Sequence, residues 1–202
     1  MYVPEIHAEE RLDILQTVMR DHGWALLVGE VEGAPCVTHL PFMLDENRGE
    51  NGTLVSHMAK NNLHWQSFEK DKEVLVVFWG PHAYISPSWY EKHPSVPTWN
   101  YVTVHAYGTP KIIEDETAKM AAQKQLVETY EGVDGWKLED QPDKYIRGML
   151  TGIVSFEIPI SRLEGKFKMS QNRHEDDIPG IIDGLRARSE GDDLIIADML
   201  EK

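Results

Sequence analysis

Residues 24–42 read WALLVGEVEGAPCVTHLPF, and this stretch decides the fold. The runs 24–31 and 34–42 are mostly apolar with several β-branched residues, and the dipeptide Glu32-Gly33 stands between them. Two such runs separated by two turn residues are typical of a β-hairpin. The sequence therefore predicts an antiparallel hairpin in the first quarter of the chain.

Outward from the hairpin, strand and helix patterns follow one another without a regular alternation. The patterns predict strands over 53–56, 74–79, 83–85, 99–108 and 151–160, helices over about 8–21, 61–68, 114–130 and about 178–188, and an irregular connection over 81–97. Strands joined by hairpins and loops favour a mainly β, α+β fold, an antiparallel barrel with peripheral helices. We expect one domain over residues 1–202.

The charge of the chain narrows its possible partners. It has 34 acidic and 20 basic residues, and its formal net charge is −14. Such a charge repels the phosphate backbone of DNA, so the sequence disfavours direct DNA binding. No apolar run approaches the roughly 18 residues of a spanning helix, and residues 1–7 lack the pattern of a secretory signal. We expect a cytoplasmic protein without a membrane segment.

Residues 56–65 read SHMAKNNLHW, which we interpret as the end of a strand and the start of a helix. Free backbone N–H groups and the positive end of the helix dipole favour a phosphate at such a junction. Lys60 adds a cationic side chain in the same turn. A second interpretation is that Asn61 or Asn62 caps the helix and that Lys60 is solvated. The residues alone leave both interpretations open.

Three other segments carry side chains that could contact a heteroaromatic ligand. Thr38 and His39 end an apolar strand, where the rim of a barrel would expose them. Residues 99–108 (WNYVTVHAYG) combine ring surfaces with an amide, and residues 165–172 (GKFKMSQN) supply amides and cations. Each has a structural alternative: a packed histidine at a strand end, core aromatic residues, and capping of the next element.

Several catalytic and metal-binding motifs are absent from the sequence. The nine histidines include no HExxH, and the single cysteine, Cys36, excludes CxxC, so we predict no metal site. The motifs GxSxG, GxxxxGK[ST] and GxGxxG are also missing. Their absence disfavours a hydrolase, a P-loop enzyme and a Rossmann domain.

Six segments, taken in order, resemble the PaiB-like family of FMN-binding proteins. They are MYVP (1–4), THLPF (38–42), SHMAKNN (56–62), YISPSWY (84–90), PTWNY (97–101) and KFKMSQN (166–172). This family is similar to the pyridoxamine-phosphate oxidase and flavin-reductase split barrels. The resemblance implies an antiparallel FMN-binding split β-barrel, a homodimer with two FMN sites at the subunit interface, and a role in negative transcriptional regulation.

The resemblance also implies which residues contact the flavin. The strand and turn at 56–60 would hold the FMN phosphate, assisted by Thr38 or His39. Residues 99–100 and Gln171 would lie nearer the ring or the partner chain. The full set implied as cofactor-binding is Thr38, His39, Ser56, His57, Lys60, Asn62, Trp99, Asn100, Tyr101, Lys168, Gln171 and Asn172.

Three functions remain open at this point. In the first, the protein binds FMN and acts in negative regulation, through flavin binding or indirectly. In the second it is an FMN-dependent oxidoreductase acting on a small molecule, and in the third it binds haem in the same barrel. Ala59-Lys60-Asn61 replaces the arginine and serine pattern that grips phosphate in the oxidases, which leaves fewer cationic donors. No residue is assigned a catalytic role.

Overall fold

The structure is a computed structural model and describes residues 1–68, 72–132 and 134–201. Within these residues the chain forms nine β-strands, five α-helices and four short 3-10 helices. The strands are β1 (Ala8–Glu9), β2 (Trp24–Val31), β3 (Ala34–Pro41), β4 (Met43–Asp45), β5 (Thr53–Ala59), β6 (Val74–Ile85), β7 (Thr98–Gly108), β8 (Lys111–Ile112) and β9 (Ile153–Lys168). The α-helices are α1 (Leu12–Asp21), α2 (Glu116–Glu131), α3 (Asp143–Leu150), α4 (Asp177–Arg188) and α5 (Asp193–Leu200). The 3-10 helices are Glu5–His7, Leu63–Ser67, Pro87–Trp89 and Leu138–Asp140.

The strands belong to one sheet, which is mostly antiparallel. Its order is β3-β2-β6-β7-β9-β5-β4, and β1 and β8 also pair with β9. β2 runs antiparallel to β3 and to β6, and β5 runs antiparallel to β4 and to β9. This arrangement confirms the prediction of a mainly β, antiparallel fold with peripheral helices.

The chain divides into two compact units, and neither is a continuous piece of the sequence. Unit 1 consists of Met1–Val18, Trp79–Val104 and Glu164–Lys202, and unit 2 consists of Met19–Phe78 and His105–Leu163. The long strands β6, β7 and β9 contribute residues to both units. The single domain expected over 1–202 stays a prediction.

Unit 2 contains the hairpin predicted from residues 24–42. β2 and β3 pair from Trp24 opposite Pro41 to the last pair before the turn. The two turn residues, Glu32 and Gly33, have φ angles of 53° and 80°. Left-handed backbone at both central residues is what a type I′ turn requires, and its twist matches that of the two strands. The hairpin prediction is confirmed.

The core of unit 2 is built on aromatic side chains. The Phe42 ring packs edge to face on Phe78 and on Phe156, at a centroid distance of 6.2 Å in each case. Phe78 and Phe156 are fully buried. Ala122 and Leu126 of α2 pack against β4 and β5 and form a second apolar cluster. Buried rings of this size contribute strongly to the apolar burial of the unit.

Unit 1 packs its two C-terminal helices together on the end of β6. Ile181 and Leu185 of α4 are fully buried in a cluster that includes Ile85. Arg188 makes a bidentate ion pair with Asp193, with Nε–Oδ2 at 2.7 Å and Nη2–Oδ1 at 2.5 Å. The Arg188 guanidinium holds the pKa of the buried Asp193 carboxyl below its usual range. This pair fixes the start of α5 to the end of α4.

Several element boundaries differ from those expected from the sequence. Ala8 and Glu9 pair with β9, so α1 begins at Leu12 rather than near residue 8. The helix expected over 61–68 is a 3-10 helix of five residues. The strands expected at 74–79 and 83–85 are one continuous strand, β6, which runs into the stretch 81–97 that was otherwise expected to be irregular. The sequence also gave no expectation of α3 or α5. The start of α1 is decided by the pairing of Ala8 and Glu9 with a distant strand, which local propensity does not reveal.

Candidate functional site

The twelve residues implied as flavin contacts fall into two groups of six. The unit 2 group is Thr38, His39, Ser56, His57, Lys60 and Asn62, and the unit 1 group is Trp99, Asn100, Tyr101, Lys168, Gln171 and Asn172. Three elements position the unit 2 group: β3, β5 and the turn that follows β5.

Thr38 and Asn62 meet at a histidine that the sequence did not single out as a contact. The Thr38 hydroxyl lies 2.9 Å from His64 Nδ1, and the Asn62 side-chain amide donates to the same hydroxyl at 3.3 Å. Asn62 Oδ1 accepts from the His64 backbone N–H at 3.0 Å, so Asn62 caps the short helix that starts at Leu63. His64 is only 1% exposed, and burial lowers the pKa of its imidazole. The network ties β3 to the segment after β5.

On β5, one predicted polar side chain is paired and its neighbour is not. The buried Ser56 hydroxyl donates to the Pro41 carbonyl at 2.7 Å. His57 Nδ1 is buried and has no hydrogen-bond partner. Ser155 stands directly opposite His57 on β9, and its hydroxyl is also buried without a partner. Directly opposite residues share one face of an antiparallel pair, so two unsatisfied polar groups lie side by side.

Two backbone donors of the turn after β5 bond within the chain. The Lys60 N–H donates to Gly152 O at 2.8 Å, and the Asn62 N–H donates to Ala59 O at 2.9 Å. The helix that follows is a 3-10 helix of five residues, so fewer N–H groups are free there than at the start of a longer helix. The phosphate role of residues 56–60 stays a prediction. What remains is the Lys60 ammonium, which is exposed and, within the described residues, has no carboxylate within 4.0 Å.

His39 is the outermost member of the unit 2 group. Its side chain is exposed on β3, and its ring centroid lies 6.4 Å from that of Trp24. β3 is an end strand of the sheet, and its registered partner is β2. His39 is therefore free to contact a ligand from solvent.

In unit 1, the amides are held by neighbouring polar groups. The buried Asn100 side chain donates to the Ser170 hydroxyl at 2.9 Å. Gln171 Oε1 accepts from the Met169 N–H at 2.7 Å and lies 2.8 Å from His7 Nδ1. These bonds fix both amides in place. Asn100 is also fully buried.

Of the other four members of the unit 1 group, two are exposed and two, Tyr101 and Lys168, are half-buried. Trp99 is 52% exposed, and Asn172 is exposed in the segment after β9. Lys168 donates to the Thr98 hydroxyl, and burial is the main cause that lowers the pKa of its ammonium. The Tyr101 ring lies 5.4 Å from the Nζ of Lys166.

Sequence reasoning missed His64 and Ser155 as neighbours of the predicted contacts. His64 lies inside the quoted segment 56–65, so the motif itself contains the signal. Ser155 lies 98 positions after His57, and only the register of β5 with β9 brings the two together. No local pattern could have found it.

Comparison with known proteins places the chain in a family. A family model described as "Putative FMN-binding domain" matches residues 1–162. The chain belongs to this FMN-binding family. The match confirms the resemblance stated from the sequence, and FMN is the cofactor of the family's domain.

Two curated relatives extend over nearly the whole chain. "Protease synthase and sporulation protein PAI 2" of Bacillus subtilis is 32% identical over 209 residues, which cover 100% of this chain and 97% of the relative. An uncharacterized protein of Emericella nidulans is 34% identical over 226 residues and covers 92% of this chain and 90% of its own length. The FMN-binding family therefore includes bacterial and fungal members.

Two solved structures share the fold at low sequence identity. The flavocytochrome Anf3 of Azotobacter vinelandii aligns with a TM-score of 0.62 and 13% identity, over 88% of this chain and 78% of that one. An FAD and haem binding protein of Mycobacterium smegmatis aligns with a TM-score of 0.61 and 13% identity, over 87% and 80%. These matches confirm the flavin-binding split-barrel fold.

Among the described helices, none is both long and apolar enough to cross a bilayer.

Proposed function

We propose that this member of the FMN-binding family holds the FMN phosphate with Lys60 and acts in negative regulation through its flavin, without direct binding to DNA. The observation that supports flavin binding concerns the Lys60 side chain. It is an exposed cation beside β5 with no carboxylate within 4.0 Å among the described residues, in a protein of net charge −14. An unpaired ammonium in an acidic protein is available to an anionic ligand.

Two buried polar groups on β5 and β9 also fit a flavin. His57 Nδ1 and the Ser155 hydroxyl are buried without partners, which is costly unless a ligand or water pairs with them. Burial lowers the pKa of His57, so its imidazole is neutral at pH 7 and has one donor and one acceptor nitrogen. A flavin carries a phosphate and hydrogen-bonding ring edges, so cation, imidazole and hydroxyl match its chemistry.

Bound FMN would supply electron transfer, and the side chains of this protein would bind and orient it. Lys60 would hold the phosphate, while Thr38 and Asn62 would act through His64 by fixing β3 beside the turn. This division of roles also serves the alternative function, an FMN-dependent oxidoreductase acting on a small molecule. The contacts assigned to the unit 1 group stay a prediction from the family resemblance.

The test is the affinity of the Lys60→Ala variant for FMN and for riboflavin, which lacks the phosphate. We expect FMN binding to weaken by about tenfold or more and riboflavin binding to change little, because a charge-assisted contact to phosphate is lost. Quenching of flavin fluorescence on titration measures both affinities. Lys144→Ala is the matched control, since Lys144 is also exposed and lies on α3.

Equal weakening of both flavins by Lys60→Ala would contradict the phosphate role of Lys60. A wild-type protein that quenches neither flavin would contradict the whole proposal. Haem titrated into the same protein covers the third function, because two proteins of the same fold are named as haem binders. A Soret band without flavin quenching would favour haem.

We also propose that the protein is a homodimer, as the family resemblance implies. The support is an exposed group of rings in unit 1, which we call the aromatic patch: Trp79, His82, Tyr84 and Trp99. Trp79 and Trp99 are 59% and 52% exposed, and the Tyr84 and Trp99 centroids lie 5.8 Å apart. Contiguous exposed rings mark interaction surfaces, since Trp and Tyr contribute strongly when a partner buries them.

A further inference from the structure

We propose that Lys166, Lys168 and Arg173 form an oxyanion site in unit 1, which takes the carboxylate or phosphate of a small organic ligand other than FMN. We call these three residues the cationic cluster. The cluster does not include Lys60 and does not depend on its proposed role. It assigns to this ligand Lys168, which the family resemblance had implied as a flavin contact. Each of its members is argued from its own surroundings.

Lys166 is a buried cation without a counter-charge. Its side chain belongs to a residue that is 8% exposed, and Nζ donates to the Tyr2 carbonyl at 3.0 Å. Nζ also lies 5.5 Å from the Tyr2 ring centroid and 5.4 Å from that of Tyr101. Ring faces attract an ammonium, but they do not neutralise it. A buried ammonium with three N–H donors and one acceptor can take an anion.

Lys168 lies two residues further along β9, with like charges near it. Its ammonium donates to the Thr98 hydroxyl, a neutral acceptor. Burial lowers the pKa of Lys168, the Tyr101 hydroxyl opposes this, and the charges of Lys166 and Arg173 lower it further. Lysines at i and i+2 of a strand share a face. The fold therefore holds two ammonium groups in one region, where they repel each other.

Arg173 is held by neutral groups and has a donor to spare. Its Nη2 donates to the Val96 carbonyl at 3.1 Å, and its guanidinium lies 4.1 Å from the Tyr90 ring centroid. Arg173 Nε is buried and forms no hydrogen bond of acceptable geometry, and the same holds for the Tyr90 hydroxyl. Burial raises the pKa of that hydroxyl, and the neighbouring Arg173 guanidinium opposes the rise. Buried donors without partners are uncommon and often mark a ligand or water position.

The lack of a counter-charge at Arg173 contrasts with most other arginines of the protein. Six other arginines form ion pairs with carboxylates: Arg11, Arg20, Arg48, Arg147, Arg186 and Arg188. Acidic residues outnumber basic ones by 34 to 20, yet within the described residues no carboxylate lies within 4.0 Å of any member of the cationic cluster. Concentrating cations without a carboxylate costs stability unless a ligand supplies the negative charge. An oxyanion meets that requirement, and the rings of β7 suit an organic ligand.

The test is isothermal titration calorimetry of the FMN-saturated protein with inorganic phosphate and with succinate at low ionic strength. We expect saturable binding of at least one anion, and a loss of affinity of about tenfold or more in Lys168→Met and in Arg173→Met, because each removes a charged donor. Lys168→Arg keeps the charge and should retain most of the affinity. Lys144→Met on α3 is the control that should change nothing.

Each outcome bears on the proposal. Wild-type protein that binds neither anion overturns it, and so does an equal loss of affinity in Lys144→Met, which would indicate non-specific attraction. Loss of phosphate binding in Lys60→Ala but not in Lys168→Met would assign the anion to Lys60 instead. Flavin quenching in the same samples reports on FMN separately, so a failed anion site is distinguishable from a failed flavin site. Should Lys168→Met unfold, retained binding in Lys168→Arg and its loss in Arg173→Met decide the question.

Discussion

At the scale of single residues, Gly29 and His64 approach each other closely beside the unit 2 group. A Cβ added at Gly29 would lie 2.5 Å from His64 Nε2. The imidazole has little freedom to retreat, because Nδ1 is bonded to the Thr38 hydroxyl and the ring is buried. Glycine is therefore needed at position 29 because the His64 side chain approaches it closely, and not because of its φ angle.

We expect Gly29→Ala to lower the free energy of unfolding by about 1–3 kcal/mol, since the new methyl group overpacks against the ring. Urea unfolding curves measure it as a lower midpoint at an unchanged slope. Gly148→Ala is the control: this glycine lies in α3 with open space around it, so alanine should stabilise by about 0.5–1 kcal/mol. A neutral Gly29→Ala would mean that His64 turns away without loss, and that the Thr38 bond is weak.

Prediction from sequence was least complete at this scale. Thr38 and Asn62 were identified as polar side chains able to reach a ligand. In the structure both bond to His64, Thr38 at the ring Nδ1 and Asn62 at the backbone N–H. Their partner lies 26 residues from Thr38, so only the folded chain reveals the bond. Lys60 differs, because an exposed lysine needs no partner and its position in the segment 56–65 already made it a candidate.

At the scale of elements, the features that depend on local chemistry, such as the hairpin turn, could be predicted from the sequence. The turn at Glu32-Gly33 is set by two residues that adopt left-handed backbone, and the hairpin followed from it. The sequence predicted strands at 74–79 and at 83–85, but it did not predict that they join through Gly80 and Pro81 into β6, since both residues usually interrupt strands. The turn after β5 likewise includes a hydrogen bond from the Lys60 N–H to Gly152 O, a distant partner that the sequence does not show.

The aromatic patch lies on β6 and β7, and we propose it as the dimer interface. If it is the dimer interface, the wild-type protein sediments at twice its chain mass of 23.1 kDa, and Trp79→Asp shifts the equilibrium towards monomer by placing an unpaired charge in the interface. Sedimentation equilibrium over a range of concentrations measures this shift. Trp136→Asp serves as control, because Trp136 is 47% exposed but outside the patch. A monomeric wild type, or a Trp79→Asp variant as dimeric as wild type, contradicts this assignment.

At the scale of the whole molecule, the fold class could be predicted because it depends on the order of strands and helices along the chain. No regular strand-helix-strand alternation occurs, and a mostly antiparallel sheet follows. The composition of the two units could not be predicted, since each collects segments far apart in sequence. The same holds for the cationic cluster, whose members look like ordinary surface charges in the residues 165–173.

The charge of the whole molecule gives the last prediction, that the protein does not bind duplex DNA directly. Association with DNA depends on cations that displace counterions along the phosphate backbone, and it is strongest at low salt. Here the net charge is −14, and the cationic cluster is unsuited to this task because Lys166 is buried. We expect no mobility shift with a pool of random-sequence duplexes at about 50 mM salt, with or without FMN. A shift that weakens as salt rises would contradict this, because it would reveal a phosphate-binding face. Regulation would then act through DNA contacts, and not through the flavin alone.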